Sequence, residues 1–139
     1  MTNDKIIIKI VKTADTGQLK ILFREAGWWD EATDNKDPNL ITKIIKGSFC
    51  FAVALIEGKI IGMGRAISDG VCDSYIQDVM VLEKFRGIGV GTLIMNELIK
   101  YLRNRNINWI SLISEPKAVR FYQNFGFSQM TDHIPFKLL

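Results

Sequence analysis

The stretch 75–103 constrains the fold most, because its hydrophobic period changes in the middle. Residues 75–82 are rich in β-branched and aromatic types and short enough for a strand, whereas Ile94, Leu98 and Leu102 recur at the four-residue spacing of one helix face. Between them Gly87, Gly89 and Gly91 remove side chains from alternate positions, so the backbone can take unusual dihedrals and a ligand can approach its N–H groups. Strand, glycine turn and helix in that order bring unpaired donors to the positive end of a helix dipole, a place suited to phosphate oxygens. Arg86 stands where it adds a formal charge. A phosphate-bearing ligand is the first expectation.

Spacing separates the known phosphate loops. A nucleoside-triphosphate loop needs Gly-Lys-Ser or Gly-Lys-Thr after its last glycine, and here Gly91 is followed by Thr92 and Leu93. The dinucleotide pattern Gly-x-Gly-x-x-Gly meets Thr92 when counted from Gly87 and Ile94 when counted from Gly89. Arg86-Gly87-Ile88-Gly89-Val90-Gly91 satisfies a third pattern, Arg/Gln-x-x-Gly-x-Gly/Ala after a valine-containing strand. In this the chain resembles the GNAT superfamily of N-acetyltransferases. Asp78-Val79-Met80-Val81 is similar to the family's donor strand, and Ala118, Tyr122, Gly126 and Phe127 match its later Ala-x-x-x-Tyr-x-x-x-Gly-Phe segment. The specific resemblance covers residues 60–127, with the two motifs in the family's order.

The chain has 139 residues, 47% hydrophobic and 24% charged, which fits a single folded domain over 1–139 and excludes a disordered polar chain. Its net charge of +3 forms no basic run, so no nucleic-acid partner is expected. Cys50, Cys72 and the single His133 lack metal-ligand spacing; reduced thiols and no metal are expected. Apolar runs fall short of the ~18 residues that cross a bilayer, and the first residues lack a signal-peptide layout, so the expected location is cytoplasmic, with no membrane partner.

Periodicity predicts a strand over 6–11, a helix opened by a capping box at Asp15 and Gln18 and ending near Gly27, and a second helix after Asp37 and Pro38 that stops at Gly47. Residues 28–36 read as a polar loop carrying Trp28 and Trp29. A hairpin over 49–67 leads into the strand at 75–82, and 107–113 is a strand parallel to it. Pro116 opens a last helix, and 127–130 and 134–138 are expected to be closing strands. The expected fold class is α/β (α+β): a mixed, mostly antiparallel central sheet of six to seven strands with helices on both faces, as in GNAT folds.

What the resemblance implies about chemistry is specific. Arg86, Gly87, Ile88, Gly89, Val90, Gly91 and Thr92 hold the pyrophosphate of acetyl-coenzyme A, and main-chain groups of Val79, Met80 and Val81 hold its pantetheine arm and thioester carbonyl. Ala118 and Phe121 either line the pantetheine tunnel or pack the core. Tyr122 matches the family's general acid. Trp28 and Trp29 either wall an acceptor pocket or pack on the sheet, and Tyr75 and Gln77 face the acceptor. The base is the weak point: Asp78 is the catalytic carboxylate candidate, Glu83 is a second, and a water relay is a third. Strand alternation turns Asp78 to the opposite face unless a bulge intervenes. Glu115 stands where many members carry asparagine to hold the donor's amide. The expected activity is direct transfer of an acetyl group from acetyl-coenzyme A to a primary amine, a small amine by the resemblance, within a ternary complex; the alternative is a non-catalytic acyl-coenzyme A sensor. A homodimer through the C-terminal strands is the expected assembly.

Overall fold

The computed structural model describes residues 5–139. Strand β1 (Ile6–Ile10) is followed by helices α1 (Thr16–Glu25), α2 (Glu31–Lys36) and α3 (Leu40–Gly47). Then come β2 (Cys50–Ile56), β3 (Lys59–Ser68), β4 (Asp73–Val81), α4 (Val90–Asn104), β5 (Trp109–Leu112) and α5 (Val119–Gln123). The strands lie in the order β1-β2-β3-β4-β5; β1 to β4 pair antiparallel and β5 runs parallel to β4.

Local chemistry accounts for the element ends. The Asp15 carboxylate accepts from the Gln18 backbone N–H and from its side-chain amide at 3.2 and 3.1 Å, so Asp15 caps α1, but the reciprocal half of the expected capping box is replaced by this side-chain bond. Gln18 also accepts from the Ile60 N–H at 2.7 Å, which ties α1 to β3. The β2–β3 connection turns on Glu57 and Gly58 at φ 50° and 76°, the two left-handed residues that suit a twisted hairpin. Residues 28–36 are not all loop: α2 forms there because Asp30 accepts from both the N–H and the hydroxyl of Thr33 at 2.9 Å. It buries no side chain, which is why periodicity missed it.

The sheet has five strands, not six or seven. Residues 128–139 form no strand and lie exposed. Ile134, Phe136 and Leu138 do alternate as a strand would, but Pro135 supplies no N–H to a ladder, and among the described residues no neighbouring strand receives the segment.

Helices cover both faces. On one, α1 and α3 bury Leu19, Leu22, Phe23, Ile41 and Ile45 against Phe51, Val53, Met63 and Met80. On the other, α4 buries Ile94, Met95, Leu98 and Leu102 against Ala52, Ala54 and Ala66. The α4 side of the sheet is built from small residues, and Gly62 and Gly64 extend it. A Cβ on Gly64 would stand 2.8 Å from Cγ2 of Ile94 and 3.1 Å from Cδ1 of Leu98, so the helix lies directly on the β3 backbone. Gly64→Ala is expected to lower stability by about 1–3 kcal/mol through overpacking. Urea unfolding checks it, as a lower midpoint with an unchanged slope.

Candidate active site

The loop between β4 and α4 is shaped by its backbone. Gly87 and Gly89 have φ of 80° and 93°, left-handed values that other residues adopt rarely. Gly89 caps α4 without a side-chain hydrogen bond, and the first turn holds no acidic residue. The leading N–H groups of α4 are therefore without helical partners. A Cβ at Gly87 or Gly89 would meet nothing within 4 Å, so the space above the loop is open to a ligand. Arg86 turns back to donate from Nε to the Val81 carbonyl at 2.9 Å, and Ile88 and Thr92 lie exposed. Val90 points inward and is buried; only its main chain belongs to the loop surface.

Beside the loop, β4 and β5 part. Their pairing runs from Asp73 opposite Trp109 to Ile76 opposite Leu112. Beyond Ile76, no strand among the described residues pairs with that edge of β4, which leaves the edge-facing main-chain groups of the stretch Val79 to Val81 open to a bound chain, apart from the Val81 carbonyl that Arg86 holds. The Met80 side chain is buried under α1 and α3, so it too can contribute only backbone.

A bulge does intervene in β4. Met63 pairs with Met80 and Arg65 with Gln77, so Asp78 and Val79 together oppose Gly64. Asp78 has φ 58°. Its carboxylate accepts from Arg65 Nε at 2.7 Å, on the sheet face away from α4. Tyr75 and Gln77, both half-buried, pair with Ile67 and Arg65. Glu83 is exposed, and its N–H donates to Glu25 at 2.9 Å.

Helix α5 brings the second motif against the first. Phe121 sits over Gly91, where a Cβ would stand 3.2 Å from Cζ of the phenyl ring. It makes edge contacts with Tyr122 and Phe125, with centroids 5.1 Å apart in each pair. Burial, and after it the negative charge of Glu115, push the Tyr122 phenol above its usual range. Tyr122 therefore keeps its proton at neutral pH. Ala118 is half-buried at the start of α5.

The two tryptophans separate. Trp29 is only 5% exposed, packs edge-on against Phe23 and donates from its indole N–H to Asp34 at 2.9 Å. Lys20 and Arg24 reach the same carboxylate at 2.7 and 2.9 Å. The hydrogen bond from Lys20, then that from Trp29, holds Asp34 below the usual carboxylate range. Trp28 is 44% exposed and is the one of the pair that faces solvent. Cys50 is buried, which pushes its thiol up to about 12; it is no nucleophile at neutral pH.

Sequence reasoning passed over Arg65 and Ser48. Arg65 Nη1 donates to Ser48 Oγ at 3.4 Å, and Ser48 Oγ donates to the Ile44 carbonyl at 2.6 Å. A signal was present: an arginine inside the apolar run of β3 needs a partner when it is buried.

Comparison with known proteins agrees with this geometry. Residues 18–127 match the Acetyltransferase (GNAT) family. The uncharacterized N-acetyltransferase ycf52 of Porphyra purpurea is 31% identical over 96% of this chain and 79% of its own length. Serotonin N-acetyltransferase 2, chloroplastic, of Oryza sativa subsp. japonica is 35% identical, over 55% of this chain and 38% of its own. A probable acetyltransferase of meticillin-resistant Staphylococcus aureus shares the fold with a TM-score of 0.80 at 23% identity, covering 97% of this chain and 98% of that one. With the glycine loop and the tyrosine helix both inside the matched region, the chain belongs to the GNAT family and is an acetyl-transferring acyltransferase.

Proposed function

We propose that the chain moves an acetyl group from acetyl-coenzyme A to the primary amine of a small molecule, by direct transfer within a ternary complex. The uncapped start of α4 beside the unpaired edge of β4 carries this proposal. Main-chain N–H groups from Gly87 to Thr92, with Arg86, suit a pyrophosphate. Val79 to Val81 suit the amides of a pantetheine arm. The donor supplies an activated thioester; the chain supplies orientation, a polarising N–H and a proton. Tyr122, protonated at neutral pH, donates to the departing sulfur. Direct transfer is supported by the two cysteines: the Cys50 thiol is buried, and Cys72, though exposed, precedes β4 at the end away from the glycine loop.

Trp28, Tyr75 and Gln77 are assigned to the acceptor side, and Trp29 to the core. A small amine is favoured by the rice relative, named for serotonin. With Asp78 paired to Arg65 through Oδ2 and Glu83 exposed past the end of β4, we assign proton removal from the ammonium to a water relay. The thin inventory of bases favours one second reading, a non-catalytic acyl-coenzyme A sensor.

Assembly as a homodimer is supported by the C-terminal segment. Ile134 and Phe136 are 77% and 90% exposed, and the outer edge of β5 is unpaired among the described residues. A second copy supplies each with what it lacks.

Calorimetry is expected to show coenzyme A binding, weakened roughly tenfold or more in Gly89→Val, because valine resists φ 93°. Thiol release over a panel of small amines then supports transfer; binding without release over any amine supports the sensor. In Glu115→Gln, the Tyr122 titration followed by NMR of ring-labelled tyrosine should move down, since a like charge is gone, yet stay above the ordinary phenol because burial is the larger cause. Light scattering should give twice the chain mass for the wild type and a folded monomer for Phe136→Asp.

A further inference from the structure

We infer that Asp78 is a positioning residue, clamped by Arg65 so that β4 keeps the left-handed bulge that turns Val79 to Val81 into their working register. The inference rests on the proposed use of that edge to hold coenzyme A.

The bulge reverses which way β4 faces. Ile76, Val79 and Val81 pack with the α4 cluster, while Met80 and Leu82 pack with α1 and α3. Unbroken alternation would put Val79 and Val81 on the same face as Gln77, and would drive Met80 towards α4. The surplus residue that prevents this is Asp78, which shares the side of Gln77 and Arg65. There is little room for any other solution, because Gly64 opposite has Val79 Cγ2 within 3.4 Å of its would-be Cβ.

The conformation has a cost. A left-handed residue at such a bulge is ordinarily glycine, and aspartate tolerates it better than most other residues. Strained backbone persists when its surroundings over-determine it, and here they do. The Asp78 carboxylate meets Arg65 at 2.7 Å, with the two side chains 23% and 13% exposed. Arg65 reaches Ser48, which is bonded in turn to the last turn of α3 through Ile44. Helix α3, strand β3 and the bulge thus form one braced unit. Holding Asp78 by its side chain holds the dihedrals of its backbone, and the three residues after it inherit their direction.

The test separates this clamp from a catalytic base. Coenzyme A affinity is measured by calorimetry, with turnover, for Arg65→Met, Asp78→Asn and their double variant. Each single change is expected to weaken coenzyme A about tenfold through misplacement, and the double change no more than either, because one interaction is lost in all three. Adding Asp78→Gly to Arg65→Met should recover affinity, since glycine takes φ 58° without a brace. Backbone NMR of the free protein reads the bulge without ligand: shifts of Val79 to Val81 should move in Arg65→Met and return in Arg65→Met with Asp78→Gly. Failure of the wild type to bind coenzyme A would sink the proposed function, while these shifts would still decide the clamp. Additive losses, no recovery with glycine, or a collapse of turnover in Asp78→Asn at unchanged coenzyme A affinity would overturn it.

Discussion

The close seating of α4 on the sheet is the constraint on which the rest of the structure depends. Ala52, Ala54, Gly62, Gly64 and Ala66 present almost no bulk to the helix, so Ile94 and Leu98 reach the β3 backbone. A helix held at that depth can direct its first turn only one way, towards the end of β4. The same absence of side chains recurs at Gly91, which lets Phe121 approach from α5. Packing of small against large on one face therefore sets the relative place of two loops that are far apart in sequence.

Electrostatics then divides the labour among the polar groups. The start of α4 is left uncapped, whereas α1 and α2 have their leading N–H groups met by Asp15 and Asp30. Aspartates close α1 and α2, whereas α3, α4 and α5 start without a side-chain cap; of these, α4 is the one whose cap is a glycine of the β4–α4 loop. Tyr122 lies at the other extreme: burial and Glu115 both favour its neutral form. Asp34 gathers Lys20, Arg24 and the Trp29 indole on one carboxylate, which fixes the connection after α1 and leaves Trp28, edge-on to Phe23, at its surface.

How much was legible in the sequence follows from how local each signal is. The glycine loop, the hairpin and α4 are written in contiguous periodicity, and all three formed. Helix α2 was hidden because it buries nothing and is started by a single aspartate. The bulge was anticipated only as a condition, because its cause lies across the sheet in Arg65 and Ser48, which no spacing along the chain connects to Asp78. The closing strands failed for a related reason. Alternation at Ile134, Phe136 and Leu138 states a preference for a sheet, but a strand exists only when another backbone completes its ladder.

Pro135 gives that last segment a further property. Ringed nitrogen offers no hydrogen, so an edge bearing it makes a poor template for the next backbone. An arm of this kind can accept shelter beside one neighbour yet resists becoming the start of an endless ribbon, a safeguard against fibre growth placed in the middle of the stripe that would otherwise invite it.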